Sequence, residues 1–136
     1  MIKLQIVTPE GVTYQDDVDQ VSIPTTTGEI TILKNHIPLV SILAAGELRA
    51  QKGDHEVILA VSGGVVEVRP HSEVYIMADA AVRAEHIDIA AAETARARAE
   101  ELLKQQANVA DVDFARIQAA IERETARIRV GKKYKK

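Results

Sequence analysis

The chain has 136 residues, 46% of them apolar and only 3% aromatic, with no tryptophan and no cysteine. That length suits one compact domain or a small domain with an appendage, and the composition demands a core of Val, Ile, Leu and Ala while excluding a disulfide framework or a thiolate site. The formal charge of −3 conceals an asymmetry: residues 1–83 carry six Lys/Arg against eleven Asp/Glu, residues 84–136 carry eleven against nine, and from Arg116 onward eight basic residues stand against two acidic ones.

An acidic body with a basic end predicts a partner whose surface is acidic. No apolar run approaches the roughly 18 residues that a spanning helix needs. The opening "MIKLQIVTPEG" lacks the long apolar stretch of an export signal, so a soluble, unexported protein is the expectation.

In chain order, Ile2, Leu4 and Ile6 alternate with Lys3 and Gln5, and "PEG" breaks the run. "VDQVSIP", "EITIL", "LVSIL", "ELRAQ", "EVILAVS", "VVEVR" and "EVYIM" follow, separated by "TTTG", "AAG", "KGD", "GG" and "PHS". Period-two runs rich in Val, Ile and Thr, with turn signals at this spacing, predict an antiparallel β-sandwich of about ten short strands over residues 1–84. "KGD" reads as a hairpin turn in which Gly53 supplies positive φ. Gly63 and Gly64 read as a turn between two strands.

After Ala78 the chemistry changes. Glu85 to Ala107 is dense in Ala, Glu, Arg and Leu without Gly or Pro, which predicts a helix capped by Asp88. "NVADVD" predicts a break, with Asp111 or Asp113 capping a second helix. Phe114, Ile117, Ile121 and Ile128 share its apolar stripe, and Gly131 is its expected end. Residues 85–136 thus read as an antiparallel helical hairpin with a basic tail. The first helix offers alanines for packing: Ala91, Ala92, Ala95 and Ala99. An alanine methyl buries about 0.8 kcal/mol of transfer free energy against roughly 1.5–3 for a Leu or Ile. The hairpin therefore combines high helix propensity with thin attachment, the combination a detachable arm needs.

No constellation carries catalysis. His36, His55, His71 and His86 show no metal-ligand spacing. "AVSGGV" around Ser62 lacks the glycine two residues before the serine that a nucleophile elbow requires. "TTTGEIT" lacks the second glycine and the lysine of a phosphate loop. Asp16, Asp17 and Asp19 lack the glycine and distant glutamate of a calcium loop. His36 lies in a bend before Pro38 and reads as a structural residue satisfying backbone groups of that connection. The basic end, "RIRVGKKYKK", allows phosphate contacts, but its single aromatic and the acidic neighbouring domain leave a nucleic-acid-binding module as the weaker alternative.

"IVTPEG", "GEITILKNHIPLV", "AVSGGVVEV" and "RAEHID", in this order across essentially the whole chain, closely resemble the ε subunit of the bacterial F-type ATP synthase. Thr31 stands where that family usually has glycine, and Lys34-Asn35 where Pro-Gly is common. The resemblance implies a non-catalytic rotor subunit of a proton-translocating ATP synthase, peripheral on the cytoplasmic face of the membrane. Its sandwich would bind the γ subunit and the ring of c subunits. Its hairpin would extend along γ and block ATP hydrolysis, with Arg116, Arg123, Arg127 and Arg129 facing an acidic segment of the catalytic β subunit, beside α. The alternative within the family is the same coupling role with a hairpin that does not regulate. Some members bind ATP on the folded hairpin through Ile-Asp-x-x-Arg-Ala and nearby arginines. The resemblance carries that site onto Ile87, Asp88, Ala92, Arg98, Arg123 and Arg127, but Ala91 replaces the motif arginine and Val82 a frequent glutamate. Losing one charge-assisted contact costs roughly 1.5–3 kcal/mol, so at most a weak regulatory ATP site is expected, and no required cofactor or metal.

Overall fold

A computed structural model describes residues 1–105 and 111–134. Eight strands come first: β1 (Ile2–Thr8), β2 (Gly11–Val18), β3 (Gln20–Thr25), β4 (Gly28–Leu33), β5 (Leu39–Ile42), β6 (Gly46–Lys52), β7 (His55–Arg69) and β8 (Glu73–Arg83). A 3₁₀ turn, Ala84–His86, leads to helices α1 (Ile89–Gln105) and α2 (Asp111–Lys133). The expected class, a β-sandwich followed by a helical hairpin, holds. The strand path is β2-β1-β8-β7-β6-β3-β4, with β5 also on β7. The β1–β8 ladder is parallel and the others are antiparallel.

There are eight described strands rather than about ten, in part because Gly63-Gly64 does not end a strand. It bends one. β7 runs straight through the pair, with Ser62 opposite Ala80 and Gly64 opposite Ala78. Before the bend β7 pairs with β6, and after it with β5, so one long strand serves both layers. Gly64 has φ 114°, and a Cβ there would collide with the Met77 carbonyl. Glycine is needed for both the backbone angle and the close approach. β2 has the opposite history. "GVTYQDDV" carries two adjacent aspartates, which strands disfavour, yet Tyr14 and Val18 are buried, with Asp16 half-buried on their face and Asp17 exposed on the other.

The core lies between the layers and is aliphatic, as the composition required: Ile2, Leu4, Ile6, Ile23, Ile32, Leu43, Leu48, Leu59 and Ile76 are almost wholly excluded from water. "VILAV" in β7 is buried on both faces. Leu59 and Val61 enter the sandwich core, while Ile58 and Ala60 face outward into a second cluster with Val130 of α2, Ala84, Ile87 and Tyr134. A continuous apolar run signals a strand covered on both sides, and here α2 is the cover.

Asp88 caps α1 as expected. Its Oδ1 accepts the Ala91 N–H at 3.0 Å, and its carbonyl accepts the Ala92 N–H at 3.0 Å. The helix begins at Ile89 because the residues from 84 to 86 form the tighter 3₁₀ turn. Four expectations for the hairpin need correction. Gly131 does not terminate α2, which continues to Lys133. A Cβ on it would stand 2.8 Å from Ile89 Cγ1 and 3.1 Å from Ile87 Cγ2, so this glycine allows the two helices to touch. Asp113 lies inside α2 rather than capping it. Ala92 and Ala99, seven residues apart, are buried, whereas Ala91 and Ala95 are exposed one step around the helix. On α2, Ile128 is buried, Ile117 and Ile121 are half-buried, and Phe114 is exposed, because α2 meets the sandwich through its later turns. The break expected over 108–113 is already helix from Asp111 onward, while the expected helix end at Ala107, residues 108–110, the Asp111 side chain, and Lys135 and Lys136 lie outside the described residues.

Candidate functional site

Two grooves flank α2 where it crosses the sandwich and α1. One, about 320 Å³, is lined by Val82, His86, Ile87, Asp88, Ala91, Ala92, Ala95, Glu124 and Arg127. The other, about 350 Å³, lies between the 8–10 turn, β8 and α2, and shares Val82 and Arg127 with the first while adding Asp79 and Arg123. The fold thus gathers Ile87, Asp88, Ala92 and Arg127 around one groove and puts Arg123 in its neighbour. Arg98 is exposed on α1 and lines neither.

Glu124 is the residue that sequence reading passed over. It is 4% exposed, and its Oε1 accepts Arg127 Nη1 at 2.9 Å and Arg123 Nε at 3.4 Å. Burying a carboxylate requires such partners. The two arginines expected to receive an anion from outside already hold one from within. The available signal was the i,i+3 spacing of Glu124 and Arg127 in "RETAR".

A second polar cluster ties the end of α2 to the sandwich. Tyr134 donates its hydroxyl hydrogen to Glu47 Oε1, and Lys133 Nζ donates to Glu47 Oε2 at 3.1 Å. Arg49 on the same strand comes within 3.7 Å of Glu47. Burial pushes the Glu47 carboxyl up, but the Tyr134 and Lys133 donors and the Arg49 charge outweigh it and hold the group below the ordinary glutamate range. Burial and the adjoining Glu47 carboxylate together raise the Tyr134 hydroxyl above its ordinary value.

The outer face of the other layer is apolar across five strands. Ile42 pairs with Val65, Val65 with Met77, Met77 with Val7, and Val7 with Val12. Ile42, Met77 and Val12 are each more than half exposed, as is Val40, two residues along β5. With Val7 and Val65 half-buried between them, these side chains form one contiguous apolar row that marks an interaction surface.

The remaining candidates are structural. His36 Nδ1 lies 2.7 Å from the Ile37 carbonyl. In the same bend Asn35 takes φ 65°, a left-handed angle that asparagine tolerates; its N–H donates to Ser72 Oγ at 2.9 Å. Thr31 and Ser22 hydroxyls meet at 3.0 Å. Asp19 Oδ2 accepts the Gly53 N–H at 2.6 Å and Asp16 Oδ1 accepts Lys52 Nζ at 3.1 Å, so the acidic cluster secures the β6–β7 turn. Among the described residues no group of His, Asp or Glu is placed to hold a metal.

The family description "ATP synthase, Delta/Epsilon chain, beta-sandwich domain" matches residues 1–84, and "ATP synthase, Delta/Epsilon chain, long alpha-helix domain" matches residues 85–132. The chain belongs to the ATP synthase delta/epsilon chain family. It is 45% identical over 129 residues to the ATP synthase epsilon chain of Halalkalibacterium halodurans, covering 95% of this chain and 96% of that one. It is 48% identical over 103 residues to the epsilon chain of Anoxybacillus flavithermus, 76% of each. The fold recurs in a chain of the Euglena gracilis mitochondrial ATP synthase, with TM-score 0.74 and 24% identity over 92% of this chain and 78% of that one. It recurs again in the central stalk/c-ring structure of Tetrahymena thermophila mitochondrial ATP synthase, with TM-score 0.59 and 15% identity over 99% and 96% of the two chains. Members of this family are non-catalytic subunits of the synthase, and this chain is an accessory subunit rather than an enzyme. Among the described residues no helix is long and apolar enough to cross a membrane.

Proposed function

We propose that this chain is a central-stalk rotor subunit that couples γ to the c-ring on the cytoplasmic face of a bacterial membrane, and that α1 and α2 form a mobile arm restraining ATP hydrolysis. In this reading residues 1–84 bind γ and the c-ring, and residues 85–136 are the regulatory arm. The apolar row Ile42, Val65, Met77, Val7 and Val12, exposed at Ile42, Met77 and Val12, supports docking of γ. The observation that carries the arm is its attachment. α1 packs on α2, and α2 meets the sandwich chiefly through Val130 and Tyr134 against Ile58 and Ala60. Few buried side chains have to be re-exposed for the hairpin to leave.

The arm carries its positive charge in two forms. Arg116 and Arg129 are exposed, whereas Arg123 and Arg127 share Glu124. All four are the proposed contacts with an acidic segment of the catalytic β subunit, beside α. Lys132 pairs with Glu93 at 3.3 Å and Lys133 with Glu47 at 3.1 Å, so part of the basic end is neutralised internally, which argues against nucleic acid as its partner. Exposed ion pairs are worth about 0.2–1 kcal/mol each, and several together reach the roughly 1.4 kcal/mol of a tenfold shift.

The test replaces Arg116 and Arg129 with Ala in the reconstituted synthase, which leaves the buried Glu124 pair intact. Hydrolysis should rise severalfold while proton-driven synthesis changes less. A second variant replaces Arg116, Arg123 and Arg127 together with Glu124→Gln, so that no buried carboxylate is stranded, and should rise further. Unchanged hydrolysis in both would rule out the electrostatic restraint and leave a hairpin that acts sterically or has a non-regulatory place in the same coupling role.

ATP is proposed as a weak ligand of the docked arm at Ile87, Asp88, Ala92, Arg98, Arg123 and Arg127, of which Arg98 lines neither groove. The position of Ala91 on the groove rim supports the view that the missing guanidinium weakens this site. Glu124 weakens it further, because a phosphate must share two arginines with a buried carboxylate.

A further inference from the structure

We propose that Glu47 is the latch of the arm: one carboxylate on β6 that captures the last turn of α2 and sets the fraction of chains in which the hairpin is docked. The inference rests on reading the hairpin as a mobile arm. Among the described residues, every side-chain hydrogen bond and ion pair that crosses from α1 or α2 and its end to the sandwich terminates at Glu47. That junction also carries the apolar contact of Val130 and the Tyr134 ring with Ile58 and Ala60. Apolar contact is non-directional and tolerates sliding. A carboxylate receiving an O–H on one oxygen and an ammonium on the other fixes one register of the helix end.

The latch is built to hold its shape. Glu47 is 17% exposed at its side chain. Arg49, two residues along, approaches it at 3.7 Å and is anchored in turn to Glu29 of β4 at 2.6 Å. Gly131 lets the end of α2 close against Ile87 and Ile89, which brings Lys133 and Tyr134 to β6. Lys133 is 54% exposed, so its charge is partly screened, and the half-buried Tyr134 hydroxyl is the stronger of the two holds. The partners lie 86 and 87 positions from Glu47 in sequence. They meet it only when the arm is down, and they part from it when the arm lifts.

The chain has no cysteine, so a single Ala60→Cys, beneath α2 and 3% exposed as alanine, introduces one thiol whose rate of modification by a thiol reagent reports lifting. In the full chain Glu47→Ala should raise that rate about tenfold, the equivalent of roughly 1.4 kcal/mol. Glu47→Gln, which keeps an acceptor for Tyr134 but no charge for Lys133, should fall between. Adding Tyr134→Phe and Lys133→Ala to Glu47→Ala should change little more, since both act through the one carboxylate. Val130→Asp serves as the control for arm mobility. If Val130→Asp exposes the introduced thiol and neither Glu47 variant does, the latch is wrong while the mobile arm stands. If Val130→Asp also leaves that thiol protected, the mobile arm fails and the latch with it.

Discussion

At the scale of single residues, the chain uses small or short side chains where two pieces of backbone must approach. Gly64 is the sharpest case. Its φ of 114° and the Met77 carbonyl against its missing Cβ leave no room for another residue, and they sit where β7 passes from one layer to the other. Gly64→Ala should destabilise the sandwich by about 3 kcal/mol or more, combining positive-φ strain with a steric clash. Urea unfolding followed by far-ultraviolet circular dichroism measures it, and a loss below about 1 kcal/mol would mean that the strand relaxes around the methyl. Ala91 and Glu124 decide the proposed nucleotide site between them. Ala91→Arg should strengthen ATP binding modestly in titration calorimetry, and Ala91→Arg with Glu124→Gln by at least a further tenfold, because the second change removes the carboxylate competing for Arg123 and Arg127. Equal affinities in all three proteins would place the nucleotide elsewhere.

At the scale of elements, α2 is held at one end. Its later turns cover the "VILAV" face of β7, and its last turn reaches Glu47. The groups facing Glu47 are Lys133 and Tyr134 from α2 and Arg49 from its own strand, with Glu29 of β4 behind Arg49. Because the docked carboxyl titrates below its free value, its contribution to docking is complete above about pH 4.3, the ordinary glutamate value. It is lost as the pH falls through the lower docked value. At the alkaline end, Tyr134 and Lys133 titrate above their ordinary values, so their contribution is complete below those ordinary values and is lost as the pH rises through the docked ones. Docking should therefore be flat across neutrality and weaken at both extremes, measured by the methyl resonances of Val130 and Ile58. Weakening of the same size in Glu47→Gln at low pH would assign the acid effect to another group. Cutting the chain after Ala84 should leave the first eight strands folded, since among the described residues the sandwich core contains none from the helices, and the fragment should still bind γ. It should also be less soluble than the whole chain, because Ile58 and Ala60 lose their cover.

At the scale of the whole molecule, an acidic sandwich carries a helical pair whose surplus positive charge is partly answered inside the fold, by Glu124, Glu93 and Glu47. Salt reaches exposed pairs more than buried ones. Rising ionic strength should therefore relieve the proposed restraint on hydrolysis through Arg116 and Arg129, with little effect on the buried Arg127–Glu124 pair. In the reconstituted native synthase hydrolysis should climb with salt, and in the Arg116→Ala, Arg129→Ala variant it should start high and stay flat. Parallel climbs in both would show that salt acts elsewhere in the complex.

The sequence by itself determined the two-part architecture, the aliphatic core and the cap at Asp88. Each of these is written in local periodicity and in side chains that act within a few residues of themselves. It also carried the family, because the motifs of the bend and of the glycine pair are short and contiguous. Only the tertiary structure decided the rest. Gly63-Gly64 reads locally as a turn, and becomes a bend within one strand because β8 pairs with both halves. Gly131 reads as a helix end, and becomes a contact because Ile87 and Ile89 lie against it. Two aspartates hide β2, whose place comes from pairing with β1. Arg123 and Arg127 read as free charges until burial turns Glu124 toward them. Glu47 and Tyr134 carry no signal at all in the chain, since 87 residues separate them and only the docking of α2 across β7 brings the hydroxyl to the carboxylate.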